Sequence, residues 1–369
     1  MVMRNNLYHN PTAQWFAYGL FFAVVAAVPF VISDGYALNL LGTYGVYALL
    51  ALSISLCWGA GGVLNLGQGV PFGLAAYGMA MTMQMQSQDL VSNPMPPFMI
   101  NNSLTHLPWF WTPFSSPIEG IILTIILPTL FWMVFGSIMF AARVSGAFVA
   151  VMTIALLSAI NMLVLDVQPY TNGANGITPP TALILLGVVV DPYSRIAYGL
   201  VASAVIGFAI LSKFVLRSRF GLVIHALRND PERTRFLGYN VFAYQTLLFG
   251  LSGFIAAVAG CFWVMLVQYV SPAQLDVPFS ISMVIWAGVG GRMSLLWSMF
   301  GALVINAAQT FVGDTFLNTW LLILGLFFII VVRFLPLGLA GLAEMLLGRL
   351  SAPVVPQIAA KPAPARAEH

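Results

Sequence analysis

Residues 196–241 read IAYGLVASAVIGFAILSKFVLRSRFGLVIHALRNDPERTRFLGYNV, and the two halves of this stretch are unlike each other. The run Ile196–Val215 carries a single charge, Lys213. At about 1.5 Å per residue it can cross a hydrocarbon layer roughly 30 Å thick. The segment Arg217–Val241 that follows holds five arginines, Arg217, Arg219, Arg228, Arg233 and Arg235, and a second apolar run, Phe242–Val267, begins directly after it. A basic stretch held between two such runs reads as a loop on one side of a membrane. The fold class it implies is an all-α polytopic membrane protein.

The rest of the sequence agrees. Of 369 residues, 60% are hydrophobic and only 7% charged, where soluble domains carry about 25%. Lipid, not water, has to face most of this chain. Further apolar runs are Trp15–Ile32, Leu38–Trp58, Gly69–Met85, Gly120–Ala141, Ala147–Leu165, Leu295–Val312 and Leu317–Val332. A shorter run, Phe279–Gly290, crosses only by sharing its path with neighbouring protein, or else re-enters. Counting it gives about ten transmembrane helices over residues 15–341, with a 1–14 N-terminus and an Ala/Pro-rich, disordered 342–369 tail, both cytoplasmic. The run Ala182–Val190 is too short to cross and reads as external loop.

Charge tests this topology. Thirteen cations fall on one side (Arg4, Arg143, Lys213, the five arginines above, Arg292, Arg333, Arg349, Lys361 and Arg366) and only Arg195 on the other. The positive-inside rule makes the first side cytoplasmic. If Phe279–Gly290 did not cross, Arg292 would change sides. On the outer side, 93–117 is rich in Pro and aromatic residues and reads as an interfacial belt or a docking surface for a partner protein.

Several chemistries are excluded. The four histidines show no ligand spacing, so no metal site is expected. Cys57 and Cys261 lie in apolar runs and read as small buried hydrophobes. No ionisable residue falls in mid-membrane, which removes a proton relay. A phosphate-cradling loop needs Gly, four residues, then Gly-Lys-Ser/Thr, and neither Lys213 nor Lys361 has that context. Any ATP-driven work therefore falls to separate subunits, and no cofactor is expected in this chain. A sodium-coupled secondary transporter or a passive channel stays open on these grounds.

The basic loop reads as two short helices. One is Gly221 to Arg228. The second has Asp230 as N-cap, Pro231 at its first position, Glu232 behind it, and Gly238 as its stop. Capped, rigid elements of this kind can transmit a push from a cytoplasmic motor. Simple topology signalling and contact with anionic lipid are the plainer alternative.

Four stretches carry a resemblance. Ser218-Arg219-Phe220-Gly221 with Ala226-Leu227-Arg228 and Arg235-Phe236-Leu237-Gly238-Tyr239-Asn240, then Leu64–Gly69, Val284–Arg292 and Gly301–Ala308, resemble the permeases of branched-chain amino acid ABC importers, and within them the urea-transport branch. Met293 and Trp297 stand where that branch carries glycine. The resemblance implies a type II-like importer permease of the cell inner membrane, not an enzyme. It also implies a second homologous permease subunit, two ATP-binding subunits that hold ATP and magnesium, and an extracytoplasmic solute-binding protein; lipid surrounds the chain and nucleic acid has no part. The urea branch implies urea as solute, with branched-chain amino acids or short amides as alternatives. The resemblance assigns contact with the ATPase to Arg219, Gly221, Arg228, Asp230, Glu232, Arg235 and Gly238.

Two glycine-dense breaks, Gly59-Ala60-Gly61-Gly62 and Gly288-Val289-Gly290-Gly291, read either as close helix packing or as broken helices that expose backbone to a solute. A neutral solute needs amides and hydroxyls, not charges. Asn65, Gln68, Asn161, Asn306 and Gln309 supply amides within or beside spans, as pathway groups or as helix–helix hydrogen bonds.

Overall fold

The structure, a computed structural model, describes residues 11–86, 95–185, 187–313 and scattered positions between 322 and 341. Its helices are α1 (Pro11–Val31), α2 (Gly35–Ile54), α3 (Gly69–Gln86), α4 (Pro97–Asn101), α5 (Pro117–Ala141), α6 (Ala147–Asp166), α7 (Gln168–Thr171), α8 (Arg195–Arg217), α9 (Arg219–Asn229), α10 (Pro231–Phe236), α11 (Val241–Val267), α12 (Val277–Gly290) and α13 (Leu295–Gly313). The expected spans that fall on described residues are all helical, with ends displaced by a few residues. Of the run Leu317–Val332 only Leu322, Gly325, Leu326 and Ile329 are described, all of them helical, and the 342–369 tail lies outside the described residues.

α5 shows how lipid shapes these helices. Every fourth residue from Gly120 to Phe140 (Gly120, Thr124, Pro128, Trp132, Gly136, Phe140) is buried. The opposite stripe, Ile118, Ile122, Ile126, Leu130, Val134 and Ile138, is exposed. Small and aromatic groups face the neighbours while branched aliphatics face outward, which suits lipid and would aggregate in water. Trp132 stacks on Phe249 of α11 with ring centroids 4.5 Å apart and planes 15° from parallel. By contrast α3 is buried along nearly its whole length. Protein surrounds it, so it tolerates Thr82 and Gln84 among its apolar residues.

Among the described residues, five helical segments are long and apolar enough to cross unaided: Gly35–Ala60, Pro117–Ala141, Ala147–Asp166, Arg195–Arg217 and Val241–Val267. A sixth results if Val277–Gly290 and Leu295–Thr310, bent by 118°, are one span. Of the expected ten, the span Leu317–Val332 falls largely outside the described residues to which this test applies. The apolar part of α1 is the short Trp15–Val31, and α3 is too polar to pass by itself.

Two features depart from an all-helical reading. Ala182–Val190 is a small antiparallel hairpin, with Leu183 opposite Val190 and Leu185 opposite Val188. α2 does not stop at Ile54 but widens into a π-helical turn over Ser55–Ala60 before the chain unwinds. At the far end of α8, the Lys213 ammonium lies 3.7 Å above the rings of both Trp15 and Tyr18. That contact fastens α1 to α8.

Candidate functional site

Two unwound segments meet inside the bundle. The first follows the π turn, from Gly61 to Gln68. The second, 268–276, links α11 to α12. Backbone that leaves helical geometry inside a membrane protein has to find partners in neighbouring protein. Here it does. The Leu66 amide donates to Thr153 Oγ1 of α6 at 3.1 Å, and the Leu66 carbonyl accepts from Ser280 Oγ of α12 at 2.7 Å. The Gly69 amide donates to the same Ser280 oxygen at 3.3 Å.

Asn65 and Gln68 lock the first segment and are fully buried. Asn65 Oδ1 accepts from the Gly67 amide at 2.8 Å, while its Nδ2 donates to Gln68 Oε1. Gln68 Nε2 in turn donates to Ser53 Oγ at 3.0 Å and to the Ser252 carbonyl at 2.8 Å. Both carboxamides thus serve the unwound backbone and its neighbours. Of the other amides singled out, Asn161 donates to the Pro272 carbonyl at 2.9 Å. Asn306 is buried and bonds its own helix at Ala302, and Gln309 is exposed. Asn65 and Gln68 are brought together by direct contact; no hydrogen bond among the described residues joins the other three to them.

The Asn161–Pro272 bond sets a depth for the second segment. Ser280 reaches Leu66, so α12 begins beside the first unwound segment and not at the end of the bundle. Its 14 residues extend only about 21 Å, and the segment before it, which holds a 3-10 turn over Pro272–Leu275, supplies the rest of the path. Upstream, Val270 pairs with Ile177 in an isolated antiparallel bridge.

The two glycine breaks also touch. A β-carbon on Gly59 would lie 1.7 Å from the Arg292 carbonyl oxygen. Only glycine permits that approach. Ser55 Oγ donates to the same carbonyl at 2.9 Å, and the Arg292 guanidinium sits 4.8 Å from the centre of the Trp58 ring. Arg292 therefore lies at the α9 end of the molecule, the side on which the charge count put it.

α9 rests against this junction. Its inner face is Gly221, Val223, Ile224 and Leu227, and the Arg228 side chain packs on Gly62. Burial first, and then the like charge of Arg292, lower the Arg228 pKa. α10 is capped as its sequence predicts. The Arg233 amide donates to Asp230 Oδ1 at 3.0 Å, and Gly238 adopts φ +87 beyond the helix end.

The five arginines do not form one uniform basic face. Arg233 pairs with Asp230 at 2.8 Å and Arg235 with Glu232 at 3.0 Å. Arg217 lies over Trp15. Arg219 and Arg228 form no ion pair among the described residues. The tip of the loop is apolar, with Phe236 and Leu237 strongly exposed. Hydrophobic residues at the end of a basic loop gave no separate signal in the sequence, since apolar residues abound there.

A family model described as "Branched-chain amino acid transport system / permease component" matches residues 36–332. The high-affinity branched-chain amino acid transport system permease protein LivM of Salmonella typhimurium is 23% identical over 343 residues, 86% of this chain and 72% of that protein. The protein of the same name from Escherichia coli K12 aligns with the same identity and coverage. The fructose import permease protein FrcC of Rhizobium meliloti is 34% identical over 95 residues, 24% of this chain and 26% of its own length. No solved structure matches the chain.

Proposed function

We propose that this chain, which belongs to the family of permease components of branched-chain amino acid transport systems, forms one transmembrane half of an ATP-driven importer for urea. Family membership makes it a multi-pass transport subunit of the inner membrane and not an enzyme. Such a permease works with ATPase and solute-binding components. In our reading the partners are a second homologous permease, two ATP-binding subunits that hold ATP and magnesium, and an external binding protein.

The observation that carries the mechanism is the contact chain from α9 to the unwound segments. Arg228 packs on Gly62, Gly59 abuts Arg292, and Leu66 is bonded to Ser280. A push on α9 and α10 from an ATPase would reach both breaks without passing through a flexible linker. The apolar Phe236–Leu237 tip and the exposed Arg219 are the groups offered to that partner, while Arg228 passes the push inward to Gly62.

Urea as solute rests on the motif resemblance and on a core whose buried polar groups, Lys213 at the end of α8 apart, are amides and hydroxyls. The LivM relatives favour branched-chain amino acids as the second reading. Reconstituting the chain with its permease partner, the two ATPases and the binding protein tests both. ATP-dependent uptake of labelled urea, with none by the chain alone, is the expected result. Uptake of leucine in place of urea would select the second reading. Ion-driven or passive flux through the isolated chain would overturn the coupling scheme.

A further inference from the structure

At the end of the molecule opposite α9 lies a cleft of about 920 Å³, formed where the end of α3, the α4 region and the segment 168–181 come together. The 23-residue α8 separates the two ends by about 34 Å. Six carboxamides line this cleft: Gln84, Asn101, Asn102, Gln168, Asn172 and Asn175. Thr178 and Thr181 add hydroxyls, and no charged residue lines it.

Gln84 is already engaged, and most of the remaining hydrogen-bonding capacity is uncommitted. Asn102 Nδ2 donates to the Phe98 carbonyl and Asn172 Nδ2 to the Gly176 carbonyl. The side chains of Asn101, Gln168, Asn175, Thr178 and Thr181 make no hydrogen bond to described residues. A carboxamide presents two donors and two acceptor lone pairs in one plane. Several of them around one space match a solute that is itself a flat, neutral set of N–H donors and a carbonyl. A zwitterion would bring two full charges to a wall that offers neither a counter-charge nor bulk water on every side.

The back of the cleft is tied to the interior. Gly176 and Ile177 line it, and Ile177 pairs with Val270 at the head of the unwound 268–276 segment. Phe110 lies against Tyr170 with ring centroids 5.6 Å apart, which braces the aromatic loop beside the cleft. The space is therefore framed by elements anchored to the bundle and adjoins the start of the path to Ser280.

We infer that this cleft is a binding site for small neutral amides, urea and its short analogues, at the outer mouth of the chain. The inference rests on the proposed solute class and gives it a place distinct from the buried Asn65–Gln68 lock.

Cysteine protection tests it without transport. Cys57 and Cys261 are buried, so a cysteine introduced by Asn175→Cys, or by Thr178→Cys should the first fail to fold, is the accessible thiol in the full-length chain. Maleimide labelling would be followed in nanodiscs with urea, acetamide or leucine present below denaturing concentrations. Leu237→Cys, at the opposite end, serves as control. The expected result is a several-fold slowing of cleft labelling by urea and acetamide, none by leucine, and no effect at Leu237→Cys. No slowing by either amide, equal slowing by leucine, or equal slowing at the control would overturn the site. The assay reads the cleft whether or not urea is imported. Loss of urea uptake with protection intact would sink the importer reading and leave the site standing; uptake without protection would do the reverse.

Discussion

The Arg292 carbonyl oxygen occupies the place that a β-carbon on Gly59 would need, 1.7 Å away. Two glycine breaks more than two hundred residues apart are thus in backbone contact. Gly59→Ala has to force the π turn away from Arg292, at a cost of about 1–3 kcal/mol for an overpacked junction. Gly62→Ala meets only the flexible Arg228 side chain at 2.9 Å, together with a strained positive φ of 71°, worth about 1–2 kcal/mol. Thermal unfolding in detergent should rank Gly59→Ala below Gly62→Ala, and equal melting temperatures would argue that the junction yields.

Gln68 carries three hydrogen-bonding relationships in a fully buried position. Gln68→Leu leaves Asn65 Nδ2 unpaired and takes one bond each from Ser53, which keeps its bond to the Leu50 carbonyl, and from Ser252. Leaving a buried polar group unpaired costs about 1–3 kcal/mol, and each lost bond adds about 1 kcal/mol. Ser280→Ala strips the bond to the Leu66 carbonyl and the longer one from the Gly69 amide and should cost less, about 1–2 kcal/mol. Denaturation midpoints should fall in that order. A Gln68→Leu protein as stable as the parent would show that the lock is not a lock.

Asp230 caps α10, and replacing an N-cap by alanine costs about 1 kcal/mol. Hydrogen exchange over 231–236 should quicken in Asp230→Ala while the spans stay protected. Glu232→Gln should change exchange little, since its partner Arg235 and the pair as a whole are largely in solvent. If the reconstituted importer keeps full ATP-dependent uptake with Asp230→Ala and Gly238→Val combined, the rigid-push mechanism fails.

Phe236 and Leu237 are 89% and 75% exposed. A Phe236→Ser, Leu237→Ser double variant should leave melting unchanged because neither side chain packs on the bundle. Binding of the ATPase subunits, followed by copurification, should drop sharply. Undiminished copurification would move the contact surface elsewhere.

Much of the fold could be read from hydropathy, because lipid imposes a length and a composition on any helix it surrounds. The α10 cap was equally legible, since Asp230-Pro231-Glu232 states its chemistry in three adjacent letters. The partners of Gln68 and of the Leu66 backbone were not. Ser53 and Ser252 meet Gln68 while Thr153 and Ser280 meet Leu66; the four lie on four helices, and a hydroxyl in an apolar run more often bonds its own backbone. The charge of the loop misled in a similar way. Counting five arginines hid the i,i+3 pairing that neutralises two of them. The amide cleft escaped notice because its walls come from segments that read simply as external loop.

The Ser280–Leu66 bond has one more implication. If α12 and the first unwound segment part during a cycle, a carbonyl and a hydroxyl are stripped bare in the buried interior. Something able to hydrogen-bond must then take their place, or the parting does not happen. Opening and selection would become a single event, in which the passenger itself completes the gap it creates.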